Sequence, residues 1–143
     1  MEAFGSRLAQ ASTQGGVIFL QGELGAGKTT LVRGFVRALG YAGRVKSPTY
    51  TLLESYSLEG VNLYHLDLYR LADAEELEWI GIRDLLEEAD LCLIEWPDRG
   101  LGVLPSPDLE IQIEYRGEGR VLQLLPTSDR GRDIVRQLDS PQV

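Results

Sequence analysis

Apolar positions in this chain repeat with two periods. Phe4, Leu8 and Ala11 share one side of a helix predicted over 4–11, and Leu31, Val32, Phe35, Val36 and Leu39 form one stripe of a second helix over 29–39. Gly40 stands where a glycine ends such a helix. Between them, Val17-Ile18-Phe19-Leu20-Gln21 reads as a buried strand entered through Gln14-Gly15-Gly16. Strands over 50–56 and 61–69 flank a hairpin turn at 57–60. On the second of these, Tyr64, Leu66 and Leu68 share one face, and His65, Asp67 and Tyr69 share the other. Asp73 and Glu76 mark a helix start with Leu77 and Ile80 or Ile82 on its apolar side; Gly81 breaks it, and a short helix over 83–89 follows with Leu85 and Leu86 inward. Leu91-Cys92-Leu93-Ile94 is a continuous apolar run, the mark of a strand buried on both faces in a parallel sheet. Strands over 109–115 and 120–125 turn at Gly117-Glu118-Gly119, and a helix over 132–138 closes the chain.

The chemistry lies in the link between the first strand and the second helix. Gly22-Glu23-Leu24-Gly25-Ala26-Gly27-Lys28-Thr29 matches G-x-x-x-x-G-K-[ST], the phosphate-binding loop of nucleoside triphosphatases, and strand, loop and helix follow in the required order. Backbone amides wrap a polyphosphate tightly only where Cβ atoms are absent, which Gly22, Gly25 and Gly27 provide. Lys28 reaches the β- and γ-phosphates, and the Thr29 hydroxyl suits Mg²⁺. Thr30 sits at the helix start, where unpaired amides favour an anion. Glu95 ends the buried strand, and Pro97 stops its pairing; an acid there, beside a phosphate loop, occupies a Walker B position. The plainer alternative is a surface acid where the strand emerges. Asp67 on a strand is poor strand chemistry unless it is functional; the plainer reading is an exposed edge-strand carboxylate.

Composition narrows the partners. With 143 residues, 43% hydrophobic and 25% charged, the chain is expected to form one domain over 1–143. No apolar run approaches a membrane span of about 20 residues. No signal peptide opens the sequence, and one cysteine, Cys92, cannot pair within the chain, so a cytoplasmic setting without membrane contact is expected. The net charge is −8, with acids clustered at 73–78 and 84–90 and cations scattered. Unaided binding of tRNA or DNA is therefore disfavoured, and a basic protein partner fits the field better. Lysine occurs only at 28 and 46, which makes its place in the loop harder to ascribe to chance.

The glycine loop, Ser47-Pro48-Thr49-Tyr50-Thr51-Leu52, Tyr64-His65-Leu66-Asp67-Leu68-Tyr69-Arg70-Leu71 and Ile94-Glu95-Trp96-Pro97 together resemble the TsaE family, small bacterial ATPases formerly called YjeE. The likeness runs over nearly the whole chain. It implies an α/β, P-loop NTPase-like three-layer fold with a mixed, mostly parallel central sheet and a C-terminal hairpin. It also implies an ATP-binding and hydrolysing subunit for N6-threonylcarbamoyladenosine modification of tRNA, next to the anticodon. Such a subunit docks on the TsaB–TsaD heterodimer and meets tRNA only through that complex. By motif, Gly22, Leu24, Gly25, Ala26, Gly27, Lys28, Thr29 and Thr30 would hold the phosphates, and Thr29 with Glu95 would ligate Mg²⁺. Asp67 falls in a segment similar to switch II and Thr49 in one similar to switch I. Trp96 resembles the family tryptophan beside the metal acid, and Arg120 a position near the nucleotide. Family members usually begin with a further strand that touches the nucleotide; here Met1 falls at about the start of the first helix.

The expected reaction is ATP hydrolysis, with Lys28, Asp67 and Glu95 as its catalytic side chains; Asp67 holds a metal-bound water or orients the attacking one. No Asn-Lys-x-Asp occurs, which favours ATP over GTP. Arg70 and Arg99 read as paired surface arginines rather than fingers, so hydrolysis is expected to be slow alone and faster with the partner. Two alternatives stand beside this: a nucleotide-gated docking module whose hydrolysis is incidental, and a small-molecule kinase, for which no segment is spare to form a lid. Cys92 reads as a core thiol, His65 as a hydrogen-bonded strand residue with no evident partner, and Trp79 as a core or interface anchor.

Overall fold

The computed structural model describes residues 1–23, 27–48, 51–58 and 60–139. Its elements run α1 (Glu2–Ala11), β1 (Gly16–Gln21), α2 (Lys28–Ala38), β2 (Leu53–Leu58), β3 (Val61–Asp67), α3 (Glu75–Trp79), α4 (Ile82–Glu87), β4 (Leu91–Glu95), a 3-10 turn (Pro97–Gly100), β5 (Leu109–Arg116), β6 (Gly119–Pro126) and α5 (Asp129–Asp139). The six strands form one sheet in the order β2-β3-β4-β1-β5-β6. β3, β4, β1 and β5 are parallel to their neighbours in that block, and β2 and β6 pair antiparallel at the two edges. The mixed, mostly parallel sheet and the terminal β5–β6 hairpin are as expected.

Alternation along the strands divides the core into two layers. Ile18 and Leu20 of β1, Leu63 of β3 and Leu91 and Leu93 of β4 pack with Leu8 of α1, Leu31 and Phe35 of α2 and Ile134 of α5. Phe19, Leu66, Cys92 and Ile94 point the other way, toward Leu77 and Ile82 of the α3–α4 segment. Every residue of β4 is buried, as its unbroken apolar run requires. Burial pushes the Cys92 thiol up to about 12, consistent with a packed core residue.

Several boundaries differ from the sequence reading, each for a local reason. β3 stops at Asp67, whose Oδ1 accepts the Tyr69 N–H at 3.0 Å and turns the chain. α5 starts a turn early because the Ser128 hydroxyl accepts the Gly131 N–H at 3.0 Å, an N-cap that the apolar spacing does not reveal. Asp73 and Glu76 make cap-like bonds to the N–H groups of Glu75 and Ala72, yet the helix so begun spans only Glu75–Trp79. Trp79 is 80% exposed, which removes the core reading of that residue. Gly81, at φ +71°, breaks the run as expected.

The helix α1 lies directly on α2, and two glycines set how close they come. A Cβ on Gly5 would stand 2.0 Å from the Leu31 carbonyl oxygen, and one on Gly34 would stand 2.0 Å from that of Glu2. Both obstacles are backbone, so no rotamer change relieves them. Gly34→Ala is expected to lower stability by roughly 1–3 kcal/mol through forced separation of the two helices. Urea unfolding should show a lower midpoint with the same slope.

Candidate functional site at the carboxyl edge of the sheet

The four parallel strands end at one edge, where ligands of open α/β sheets bind. β1 runs out at Gln21 into the glycine loop, β3 ends at Asp67 and β4 at Glu95. Asp67 lies opposite Glu95 in the β3–β4 register, and Leu20 lies opposite Glu95 in the β1–β4 register. Period two places Leu63, His65 and Asp67 on one face of β3, and Leu91, Leu93 and Glu95 on the same face of β4. That face is the one α2 covers. Toward the strand ends, its apolar residues therefore give way to three polar ones under the start of α2.

All three are buried: His65 is 1%, Asp67 5% and Glu95 3% exposed. The exposed edge-strand reading of Asp67 fails, because β3 lies between β2 and β4. His65 Nε2 lies 2.6 Å from Glu95 Oε2. This partner was missed in the sequence, since a contact between residues 65 and 95 depends on β3 and β4 being neighbours. The available signal was that His65 and Asp67 share a face beside a strand ending in an acid.

Lys28 opens α2 behind Gly27, which has φ +108°. A Cβ on Gly27 would also meet Met1 Cγ at 2.9 Å. The Lys28 ammonium donates to the Gly22 carbonyl at 2.6 Å and lies 4.0 Å from the centre of the Trp96 ring. The Trp96 ring in turn lies 5.1 Å from that of Tyr69. Burial holds the lysine below its ordinary range, opposed by attraction from Glu95, Asp67 and Asp98. Thr29 and Thr30 follow Lys28 in the first turn of α2, both half-buried. Gly22, Lys28, Asp67, Glu95 and Trp96 thus converge. Arg120 stands apart on β6, with its guanidinium 4.0 Å from the Tyr115 ring. Tyr115 lines a cavity of about 530 Å³ with Gln21, Gly22, Glu23, Trp96 and Asp98; Arg120 is not part of that lining. Leu24, Gly25, Ala26 and Thr49 lie outside the described residues. A second cavity of similar size, about 510 Å³, opens between α4 and the 102–105 loop, away from these groups.

Two backbone features frame the site. Among the described residues, only Leu52 (φ 71°) and Trp96 (φ 56°) are non-glycine residues in the left-handed region. The Leu52 carbonyl accepts the Asp67 N–H at 3.0 Å, and Trp96 directly follows Glu95. Such strain, about 1–2 kcal/mol per residue, gathers at functional positions.

The donor set suits a magnesium–polyphosphate. A cation held partly out of water without a bonded acid gains from an incoming anion, and carboxylates with a hydroxyl are the hard oxygen ligands Mg²⁺ takes. Two buried nitrogens, His65 Nδ1 and Trp96 Nε1, have no hydrogen-bond partner among the described residues. With only Lys28 and Lys46 in the sequence, lysine-selective NMR gives two side-chain signals, assignable with Lys46→Arg. The Lys28 signal is expected to titrate below the ordinary lysine pKa of about 10.4 and to move up when a triphosphate binds.

Comparison with known proteins identifies the family. The family model "Threonylcarbamoyl adenosine biosynthesis protein TsaE" matches residues 1–122. The chain is 49% identical over 119 residues to the tRNA threonylcarbamoyladenosine biosynthesis protein TsaE of Haemophilus influenzae, covering 83% of this chain and 75% of that one. It is 37% identical over 117 residues to the Bacillus subtilis protein of the same name, covering 82% and 73%. The crystal structure of Bacillus subtilis YdiB superposes with a TM-score of 0.78 at 29% identity, over 96% of this chain and 85% of that one. The chain belongs to the TsaE family.

Proposed function

We propose that this chain is a magnesium-dependent ATPase that serves N6-threonylcarbamoyladenosine modification of tRNA, next to the anticodon, in association with TsaB and TsaD. The observation that carries the reading is the convergence of Lys28, Asp67, Glu95 and Trp96 where the glycine loop enters α2. The family relatives are named for that pathway, which supplies the biological setting.

In this reading the amides of the loop and of the first turn of α2 hold the phosphates. Lys28 turns its ammonium from the Gly22 carbonyl and the Trp96 ring toward the β- and γ-phosphates. Thr29 and Glu95 would hold Mg²⁺, which would supply positive charge to the polyphosphate. His65 fixes one oxygen of Glu95, and the carboxylate so held would serve the metal. Asp67, level with Glu95 on the neighbouring strand, orients water. The cavity beside Trp96, lined also by Tyr115, on whose ring Arg120 stacks, receives the nucleoside end. Its volume lies within the roughly 300–1,000 Å³ common for small-ligand sites.

A nucleotide-gated module remains the second reading. It is favoured by the left-handed Leu52, whose carbonyl accepts the Asp67 N–H. Nucleotide acting on Leu52 would move Asp67, and hydrolysis would only reset the surface.

Lys28→Ala should weaken ATP binding by about 10- to 100-fold, measured by calorimetry, because a charge-assisted contact is lost. Glu95→Ala should retain ATP and lower hydrolysis by about a hundredfold or more. With TsaB–TsaD and tRNA it should support a single round of modification; full turnover by that variant would instead establish the gated module. His65→Ala should lower kcat with little change in ATP affinity. His65→Gln, which can still donate to Glu95, should recover part of the loss; equal kcat in both variants would contradict the role given to His65.

A further inference from the structure

One surface takes no part in this site. Trp79 is 80% exposed, Ile80 46% and Leu101 70%. Scattered apolar residues on a surface are ordinary, but an indole with two aliphatic neighbours on one side of a molecule is not. Arg83 links them: its guanidinium meets Glu78 Oε1 at 3.3 Å and donates to the Gly102 carbonyl at 3.4 Å. The α3–α4 corner and the 101–102 turn are thereby held side by side. The helix α3 buries Leu77 alone and directs its other large side chain outward.

Charge narrows what this corner meets. Residues 73–90 carry eight carboxylates and one arginine, so this stretch holds seven of the chain's eight net negative charges. Glu75 lies one helical turn before Trp79, on the same side of α3. A nucleic-acid backbone would be repelled here, and a second copy would bring the same charges against themselves. Among the described residues, no three His, Cys, Asp or Glu side chains are grouped to hold a metal.

We propose that the α3–α4 corner, centred on Trp79, docks a protein partner that offers an apolar pocket rimmed by lysine and arginine. The inference rests on the proposed function in taking that partner to be the TsaB–TsaD pair. The position adds a mechanical consequence. The segment carrying Trp79 is the crossover from β3, which ends at Asp67, to β4, which ends at Glu95. Its buried Leu77 and Ile82 share a core cluster with Leu66 and Ile94 of those strands. A partner gripping the corner therefore presses on both acid-bearing strands while leaving the nucleotide edge open.

The test is binding of the full chain, in Mg-ATP, to purified TsaB–TsaD, followed by interferometry at several salt concentrations. Trp79→Ala should weaken the complex about tenfold or more, as truncation of a central aromatic anchor does. Its thermal midpoint and Mg-ATP affinity should match the wild type. Glu75→Gln should lower the association rate and flatten its salt dependence. Wild-type affinity in Trp79→Ala would overturn the docking surface and leave the functional reading intact. Failure of the wild-type chain to bind TsaB–TsaD would overturn both.

Discussion

Two neighbouring parallel strands that alternate in phase impose the arrangement of this molecule. β3 and β4 keep one register from Leu63 opposite Leu91 to Asp67 opposite Glu95. Their shared face is apolar at the amino edge and polar at the carboxyl edge, yet α2 covers it throughout. Polar groups there are taken out of water by the same packing that buries their apolar neighbours. A lone buried carboxylate costs several kcal/mol, about the whole margin of many domains. Glu95 is tolerated because His65 bonds it from the adjacent strand, with Lys28 nearby as counter-charge. Leu20, Leu63, Leu91 and Leu93 exclude water beside these groups, and electrostatic interactions are stronger for it.

Much of this was readable from residue order. The buried run before Glu95, the alternation on β3 and the terminal hairpin each rest on local chemistry with one natural outcome, and the sheet contains all three. What local chemistry cannot provide is adjacency. The surface-acid alternative for Asp67 is removed only by the place of β3 between β2 and β4, and the partner of His65 is hidden for the same reason. Of the two readings of Trp79, core or interface anchor, the core one fails: a five-residue helix has room to bury one large side chain, and Leu77 takes that place. The early start of α5 was missed because Ser128 acts through a hydroxyl, outside any apolar period.

The glycines show why composition alone misleads. Gly5 and Gly34 lie inside helices, where glycine is unfavourable by about 1 kcal/mol each relative to alanine. Their return is the close approach of α1 to α2, with backbone of one helix against backbone of the other. The first turn of α2 carries Lys28, Thr29 and Thr30, and Met1 packs against Gly27. The helix that presents the lysine is thereby braced from behind by α1.

Trp96 completes the geometry by breaking the rule that builds the rest. Had β4 continued as regular strand, residue 96 would point away from the face that carries Glu95. Its left-handed backbone reverses the chain at that point, and Pro97 carries it into the 3-10 turn. The indole consequently reaches the lysine of α2 while the preceding carboxylate stays under the same helix. One strained residue thus lets two consecutive side chains confront a single ammonium from different directions, which an unbroken strand cannot do. Leu52 plays the matching part on the other side, where its carbonyl holds the Asp67 backbone at the strand end. Strain at both places is bearable because the fully buried β4 and the paired β3 beneath them are fixed by the core, so its cost falls on the positions where the chemistry needs a departure from regular structure.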